Sequence, residues 1–275
     1  MSSKEHDPMD RSPLTVPSRT TSPENHAIPH GLPDGSRDVL ADWAFFFDID
    51  GTLLDIAETP EAVCVPDGLI HDLVHLSRKL DGALALVTGR SISFVDTLFP
   101  GALFPVAGLH GAERRDAAGR MSEIELTSDF LRAKDELKKR ALSWPDILVE
   151  DKNAAIAVHY RQAPQYQHDM QMLMREIAAM AGPRWTLQNG KMVTELRPAT
   201  SDKGRAVKAF MADAPFSARR PLVFGDDVTD EAMFKAANAA GGLSVKIGSP
   251  SETSAATLYM ESPAILRSWI SEIAQ

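Results

Sequence analysis

Cysteine is nearly absent. A single residue, Cys64, stands among 275, which excludes an intrachain disulfide and gives no support to an oxidising compartment. Positive charge is also scarce: 29 Lys and Arg face 38 Asp and Glu, for a formal net charge of −9. Nucleic-acid binding rests on neutralising phosphates, so a broad nucleic-acid surface is not expected, and any anionic ligand must be held by a local cluster of cations. No apolar run is long enough to cross a bilayer, and the first residues lack the apolar stretch of a secretory signal. The expectation is a cytoplasmic protein with no membrane partner. What is present, 44% hydrophobic and 24% charged residues, is the makeup of a globular protein with a substantial core, in one large domain or two smaller ones.

Residues 1–37 are rich in Pro, Ser and charge and carry almost no apolar periodicity. Such a stretch cannot offset its ordering entropy, so it is expected to be a disordered tail, with an adaptor role for an unidentified partner as the alternative. From about residue 40, short apolar runs alternate with longer helical stretches, the pattern of βα units around a parallel sheet. "WAFFFDID", "GALALVTGR", "FPVAGLHG", "PLVFGDD" and "LSVKIG" read as buried strands, and "DGLIHDLVHLSRKL" has apolar residues at helical spacing. Residues 121–193 follow a different order, helix, two strands, helix, two strands, which predicts a smaller α+β layer inserted into the main unit. The expected architecture is α/β: a Rossmann-like core from residues 38–120 and 194–275, with a cap from residues 121–193. Met170, Met172, Met174 and Met180 read as packing for the cap.

Three of the expected core strands end in polar residues. "FFFDIDGT" carries Asp48 and Asp50, "LALVTGR" carries Thr88 and Arg90, and "LVFGDDVTDE" carries Asp226, Asp227 and Asp230. Ligands of open α/β sheets bind beyond the carboxyl ends of the strands, so parallel strands would bring these groups to one site. A carboxylate leaving a strand often only caps a turn, but two acids around Ile49 at the end of an apolar strand have no evident structural use. Residues i and i+2 of an extended segment point the same way, roughly 7 Å apart at ~3.3 Å per residue. One carboxylate can attack phosphorus while the other reaches the leaving oxygen. Gly51 permits close backbone approach, and Thr52 is placed to bond the first carboxylate or the phosphate.

Clustered carboxylates repel unless a cation sits among them, and an all-oxygen set without Cys or His favours a hard ion, Mg²⁺ first. Lys203, in "TSDKGRAV", is the candidate phosphate-binding cation: Thr200 or Ser201 can cap the helix that follows, which puts Lys203 near a helix N-terminus suited to anions.

"DIDGT", "VTGR", Lys203 and "GDDVTDE" resemble, in order, the four motifs of the haloacid dehalogenase superfamily of phosphohydrolases. That resemblance implies Asp48 as nucleophile and Asp50 as general acid, then base. It also implies Mg²⁺ on Asp48, on the main-chain carbonyl of Asp50 and on Asp226, with Asp227 and Asp230 in support and Thr88 and Lys203 on the phosphoryl group. The presence of Asp50 argues against the ATPase branch, and the insertion occupies the place of a type C2 cap. From about residue 40 onward the chain is similar to the bacterial trehalose-6-phosphate phosphatases in "FPVAGLHGAERRDAAG", "AIAVHYRQAP", "GKMVTELRP…DKG" and "LVFGDDVTDE…LSVKIG". The resemblance implies a phosphoric monoester hydrolase acting in trehalose biosynthesis on a small sugar phosphate.

A disaccharide is recognised through its hydroxyls, and the cap carries suitable groups. Glu150, Lys152, His159, Arg161 and Glu195 are expected sugar contacts, whereas Lys191 and Arg197 stand equally for contacts and for cross-strand ion pairs on a solvated face. His110, Arg90 and Glu113 are open between lining the pocket and satisfying loop groups. The core motifs do not encode the leaving group, so sucrose phosphate or a mannosyl phosphoglycerate remains an alternative substrate. A catalytically silent regulatory protein is the alternative from another class.

Overall fold

The structure, a computed structural model, describes residues 28–57, 62–190, 192–251 and 253–275. A short helix α1 (Arg37–Leu40) leads into β1 (Trp43–Phe47), followed by α2 (Leu69–Lys79), β2 (Leu84–Val87), α3 (Ile92–Leu98) and β3 (Val106–Gly108). Two further strands, β4 (Glu113–Arg115) and β5 (Met121–Glu123), precede the insertion, which runs α4 (Ser128–Ala141), β6 (Leu148–Asp151), β7 (Ile156–His159), α5 (Gln167–Ala181), β8 (Trp185–Gly190) and β9 (Val193–Pro198). The chain then completes the first unit with α6 (Lys203–Met211), β10 (Arg220–Gly225), α7 (Glu231–Ala239), β11 (Leu243–Ile247), β12 (Leu258–Met260) and α8 (Pro263–Ala274).

The large sheet has eight strands in the order β12-β11-β10-β1-β2-β3-β4-β5. Pairing is parallel from β12 to β3, and β4 and β5 continue the sheet antiparallel. Strand β1 is central because all its residues are apolar, as required of a parallel strand covered on both faces. Alternation sends Phe45 toward Trp269 of α8, with ring centroids 5.9 Å apart, and Phe46 toward Phe210 of α6, 6.1 Å apart. Because β1 lies between β10 and β2, strand order reverses at its carboxyl end, where an open sheet forms its ligand crevice.

The insertion forms a separate four-stranded antiparallel sheet, β6-β7-β9-β8. Helices α4 and α5 cover one face, with Phe130, Leu137, Met170, Met174, Ile177, Ile156, Val158 and Leu196 in a core of their own. Register fixes the opposite face. Glu150 pairs with Ala157, Ala157 with Glu195 and Glu195 with Gln188, so this row shares a face with Lys152, His159, Thr186 and Arg197.

Three boundaries differ from the sequence reading. Residues 28–37 fall within the expected disordered tail, but Ile28 and Leu32 pack against the main core and Pro33 is buried; residues 1–27 lie outside the described residues. Met121–Glu123 pair with β4 in the large sheet rather than with the cap, because the turn at residues 116–120 folds the chain back on itself. At the other end, β9 continues to Pro198 inside the cap sheet. Met170 and Met174 pack as expected, whereas Met172 and Met180 lie on the outer side of α5 and are exposed.

Candidate active site

After Phe47 the chain must leave the sheet, and it does so through a tight turn. Thr52 and Leu54 both donate their N–H to the Ile49 carbonyl, and Gly51 donates to Leu54. Gly51 has φ of 79° and faces the Asp226 carboxylate so closely that a Cβ would collide with it. Only glycine satisfies both conditions. β1 and β10 are paired up to Phe47 and Phe224, and the turn adds a contact beyond their carboxyl ends, where Thr52 Oγ1 donates to Asp226 Oδ1 at 3.3 Å. Thr52 therefore bonds the third acidic group rather than Asp48.

Asp48 is buried at this junction, and Lys203 Nζ lies 2.8 Å from its Oδ1 and 2.7 Å from Asp230 Oδ1. The capping residue of α6 is Asp202, which accepts from Arg205 N at 2.8 Å, not Thr200 or Ser201. Burial works against the Lys203 charge, but Asp230 and Asp48 outweigh it and carry the ammonium above its usual range. Burial, which Lys203 only partly offsets, raises the Asp48 carboxyl well above its ordinary value.

Asp230 uses both its oxygens on protein partners. Besides Lys203, it accepts from the N–H groups of Asp226 and Asp227 at 2.9 and 3.0 Å, which shapes the turn after β10. Asp227 points away and caps that turn by accepting from Thr229 N at 2.7 Å. It is exposed and stands outside the cluster of Asp48, Asp226 and Asp230, whose carboxylate oxygens lie within 4.8 Å of one another. Asp48 and Asp226 each keep a second oxygen, since one is used by Lys203 and by Thr52 respectively. Two carboxylates with no His or Cys suit a small hard cation that completes its shell with water and substrate oxygens. Burial, then Asp230 and Asp227, pushes the Asp226 carboxyl up to about 7. Lys246, which the motif reading missed, donates to the Asp226 carbonyl at 2.6 Å from the end of β11.

Asp50 is gripped by Arg90. Nε donates to Oδ2 and Nη2 to Oδ1, both at 2.6 Å, and the guanidinium lies 4.4 Å from the centre of the Phe94 ring. Thr88 is buried at the end of β2, its Oγ1 accepting from Arg90 N at 3.1 Å. Glu113 reaches back to accept from Ile92 N at the start of α3, so it serves a helix end rather than the pocket, and burial raises its carboxyl.

His110 sits in a run of three left-handed residues, Leu109, His110 and Gly111, with φ of 50°, 56° and 98°. Two of these are not glycine, the kind of strain that persists where surrounding contacts over-determine it. The turn sets the imidazole against Gly89, where any side chain would collide with it, and puts Nε2 3.8 Å from Glu195 Oε2 of the cap. Burial, then Lys203, Arg197 and Lys152, keeps His110 well below the usual imidazole value, and hence neutral at pH 7.

On the cap's polar face, His159 Nε2 lies 2.9 Å from Glu150 Oε2, and Lys152 Nζ lies 3.6 Å from Glu150 and 3.2 Å from Glu195. Burial opposes the Glu150 charge, but His159 and Lys152 win and lower its carboxyl. A cavity of ≈ 830 Å³ separates this sheet from the core and is lined by Lys203, His110 and Asp227 on one side and Thr186, Gln188 and Arg197 on the other. Arg197 donates to the Ser201 carbonyl where β9 returns to the core. Arg161 lies beyond β7 and is exposed, and neither it nor Glu150, Lys152, His159 and Glu195 is among the residues that line this cavity. Lys191 falls outside the described residues. Gln188 and Thr186 were not singled out because nothing in "RWTLQNGK" says which alternate residues face the core.

A family model described as trehalose-phosphatase matches residues 46–264. A probable trehalose-phosphate phosphatase of Sinorhizobium fredii is 54% identical over 235 residues, covering 86% of this chain and 89% of that one. The trehalose-6-phosphate phosphatase of Escherichia coli is 43% identical over 212 residues, covering 77% and 79%. Among solved structures, the C-terminal domain of a C. albicans trehalose-6-phosphate phosphatase superposes with a TM-score of 0.71, covering 86% of this chain and 96% of that one; at 22% identity this speaks for the fold alone.

Proposed function

The chain belongs to the trehalose-phosphatase family and hydrolyses trehalose 6-phosphate to trehalose and phosphate, and on that premise we propose how its residues divide the work. Asp48 attacks phosphorus through a carboxylate oxygen, the P–O bond to the sugar breaks, and the leaving oxygen takes a proton from Asp50. Water then attacks the aspartyl phosphate and gives its proton to Asp50, the P–O bond to Asp48 breaks, and phosphate departs. Lys203 and Thr88 bind the phosphoryl oxygens, and Lys203 supplies fixed positive charge where negative charge develops.

Mg²⁺ fits the site on the chemistry of its donors, with Asp48, Asp226 and the main-chain carbonyl of Asp50 holding it. When bound it neutralises the acidic cluster and orients a phosphoryl oxygen. Asp230 serves as the brace for Lys203 and for the Asp226 loop. The cap's polar face reads the disaccharide through Glu150, Lys152, His159 and Glu195, with His110 as a neutral hydrogen-bonding partner from the core. The enzyme is cytoplasmic in this reading; among the described residues no helix is long and apolar enough to cross a membrane.

The observation that carries the reading is the buried Lys203 ammonium shared between Asp48 and Asp230 beside Asp226. Phosphate release from trehalose 6-phosphate, sucrose 6-phosphate and glucose 6-phosphate, compared at equal concentration with and without Mg²⁺, tests it. Metal-dependent release with strong preference for trehalose 6-phosphate is expected. Equal rates on all three would discard the assignment of the cap face, and release without metal would discard the role given to Mg²⁺.

A further inference from the structure

The two-point grip of Arg90 on Asp50 does not belong to the handling of phosphate or sugar. A guanidinium fork that matches both oxygens of a carboxylate fixes the plane of that carboxylate, which a single ammonium cannot do. Here both arms are 2.6 Å long, and the fork itself is braced. The Phe94 ring lies under the guanidinium at 4.4 Å. The Arg90 N–H is tied to Thr88 Oγ1 at 3.1 Å and the Arg90 carbonyl receives Leu109 N at 3.0 Å. Asp50 itself sits inside the turn that runs from Ile49 to Leu54, its side chain is about one-third exposed, and among the described residues the hydrogen bonds to its carboxylate come from Arg90.

We propose that Arg90 is a positioning residue for Asp50, setting the carboxylate in the orientation from which it exchanges a proton with the leaving oxygen and with water. Each carboxylate oxygen has two lone pairs, and the fork engages one on each, leaving the others for the proton. The inference rests on the functional reading above and assigns Arg90 to the core machinery rather than to sugar contact. Mispositioning at this distance is costly because proton transfer requires hydrogen-bond reach to the reacting oxygen.

The test compares Arg90→Gln, Arg90→Lys and Asp50→Asn as Mg²⁺-loaded enzymes on trehalose 6-phosphate and on p-nitrophenyl phosphate, whose leaving group departs without needing a proton. For Arg90→Gln, kcat on trehalose 6-phosphate is expected to fall about 100-fold, the lower range for general acid–base catalysis, with KM little changed. On p-nitrophenyl phosphate the same variant should release a rapid burst of nitrophenolate equal to the enzyme present, followed by slow turnover, because only the step in which water must lose its proton is impaired. Arg90→Lys should restore part of the loss, and adding Arg90→Gln to Asp50→Asn should cost nothing further.

A raised KM for trehalose 6-phosphate with unchanged kcat would overturn the proposal in favour of sugar contact. Equal losses without a burst would reduce Arg90 to a structural part. Failure of the unmodified enzyme on trehalose 6-phosphate would sink the substrate reading alone, since the p-nitrophenyl phosphate arm still reads Arg90.

Discussion

Lys203 is almost wholly removed from water and lies within 2.8 Å of two buried carboxylates. Removing one partner of such a group leaves the others charged and unsolvated, a loss of about 3–5 kcal/mol. Lys203→Met is therefore expected to abolish turnover and also to unfold at a clearly lower denaturant midpoint. Asp48→Asn keeps an oxygen for Lys203 and preserves volume, so it should abolish turnover with a near-normal unfolding curve. Circular dichroism and denaturant titration of both variants separate the two; a stable Lys203→Met protein would show that the pair does not support the fold.

Asp226 supplies a pH signature. Its folded value, pushed up to about 7 chiefly by burial and then by Asp230 and Asp227, stands above the ordinary carboxylate value of 3.8. Between those values the folded, metal-free protein binds more protons than the unfolded chain, so this group's contribution to stability falls as pH rises through that window. A cation must displace the same proton. The apparent affinity for Mg²⁺, measured by calorimetry without substrate, is expected to rise as pH climbs from 5.5 to about 7 and to level above. A flat profile would mean that Asp226 is already ionised.

Much of this residue-level chemistry was legible. Asp48, Asp50 and Asp226 are marked by polar residues at the ends of apolar strands and Lys203 by its place at a helix start, and parallel pairing brings those strand ends together. The partner of each residue was not legible. "TGR" does not disclose that Arg90 turns to Asp50, nor "GDDVTDE" that Asp227 caps a turn while Asp230 braces the lysine, because side-chain direction is decided where three strands meet.

At the scale of single elements, the turn after β1 is tightly constrained. The collision of any Gly51 side chain with the Asp226 carboxylate, added to a φ of 79°, predicts that Gly51→Ala displaces Asp226. Mg²⁺ affinity should fall by more than tenfold while the secondary structure is retained; unaltered affinity would show that the turn has slack. In the cap, strand alternation rather than any single residue puts Glu150, Lys152, His159 and Glu195 on the face away from α4 and α5. Glu150→Gln and Glu195→Gln are accordingly expected to raise KM for trehalose 6-phosphate several-fold while leaving p-nitrophenyl phosphate unaffected. Equal losses on both esters would argue that the face supports the cap instead of reading sugar.

The element order of the insertion follows from its sequence because the apolar period switches cleanly between strand and helix. Its edges do not. Met121–Glu123 are exposed and carry no apolar alternation, and they become a strand only because β4 offers its edge. Ile28 and Leu32 are isolated apolar residues in a polar stretch, and tertiary contact with the core, not local pattern, orders them.

At the scale of the whole molecule, the large sheet and the cap own separate hydrophobic clusters, and the acidic cluster belongs entirely to the first. Without a cation, three carboxylates crowd one lysine in a crevice, and burial first, then repulsion from neighbouring carboxylates, raises the Asp48, Asp226 and Asp230 carboxyls. On the proposed reading, Mg²⁺ bound here relieves that repulsion only in the folded state, since the unfolded chain disperses these acids. Linkage then gives the core about 2.7 kcal/mol at a hundredfold excess of ion over Kd, or a rise in Tm on the order of 5 °C for a unit of this size. Heating the enzyme with Mg²⁺ or with EDTA measures the difference. The rise is expected in the unmodified protein and in the Glu195→Gln variant, whose change lies in the cap, but not in Asp226→Asn, which removes a ligand while keeping the shape of the side chain. An equal rise in Asp226→Asn would place the stabilising ion somewhere other than this crevice.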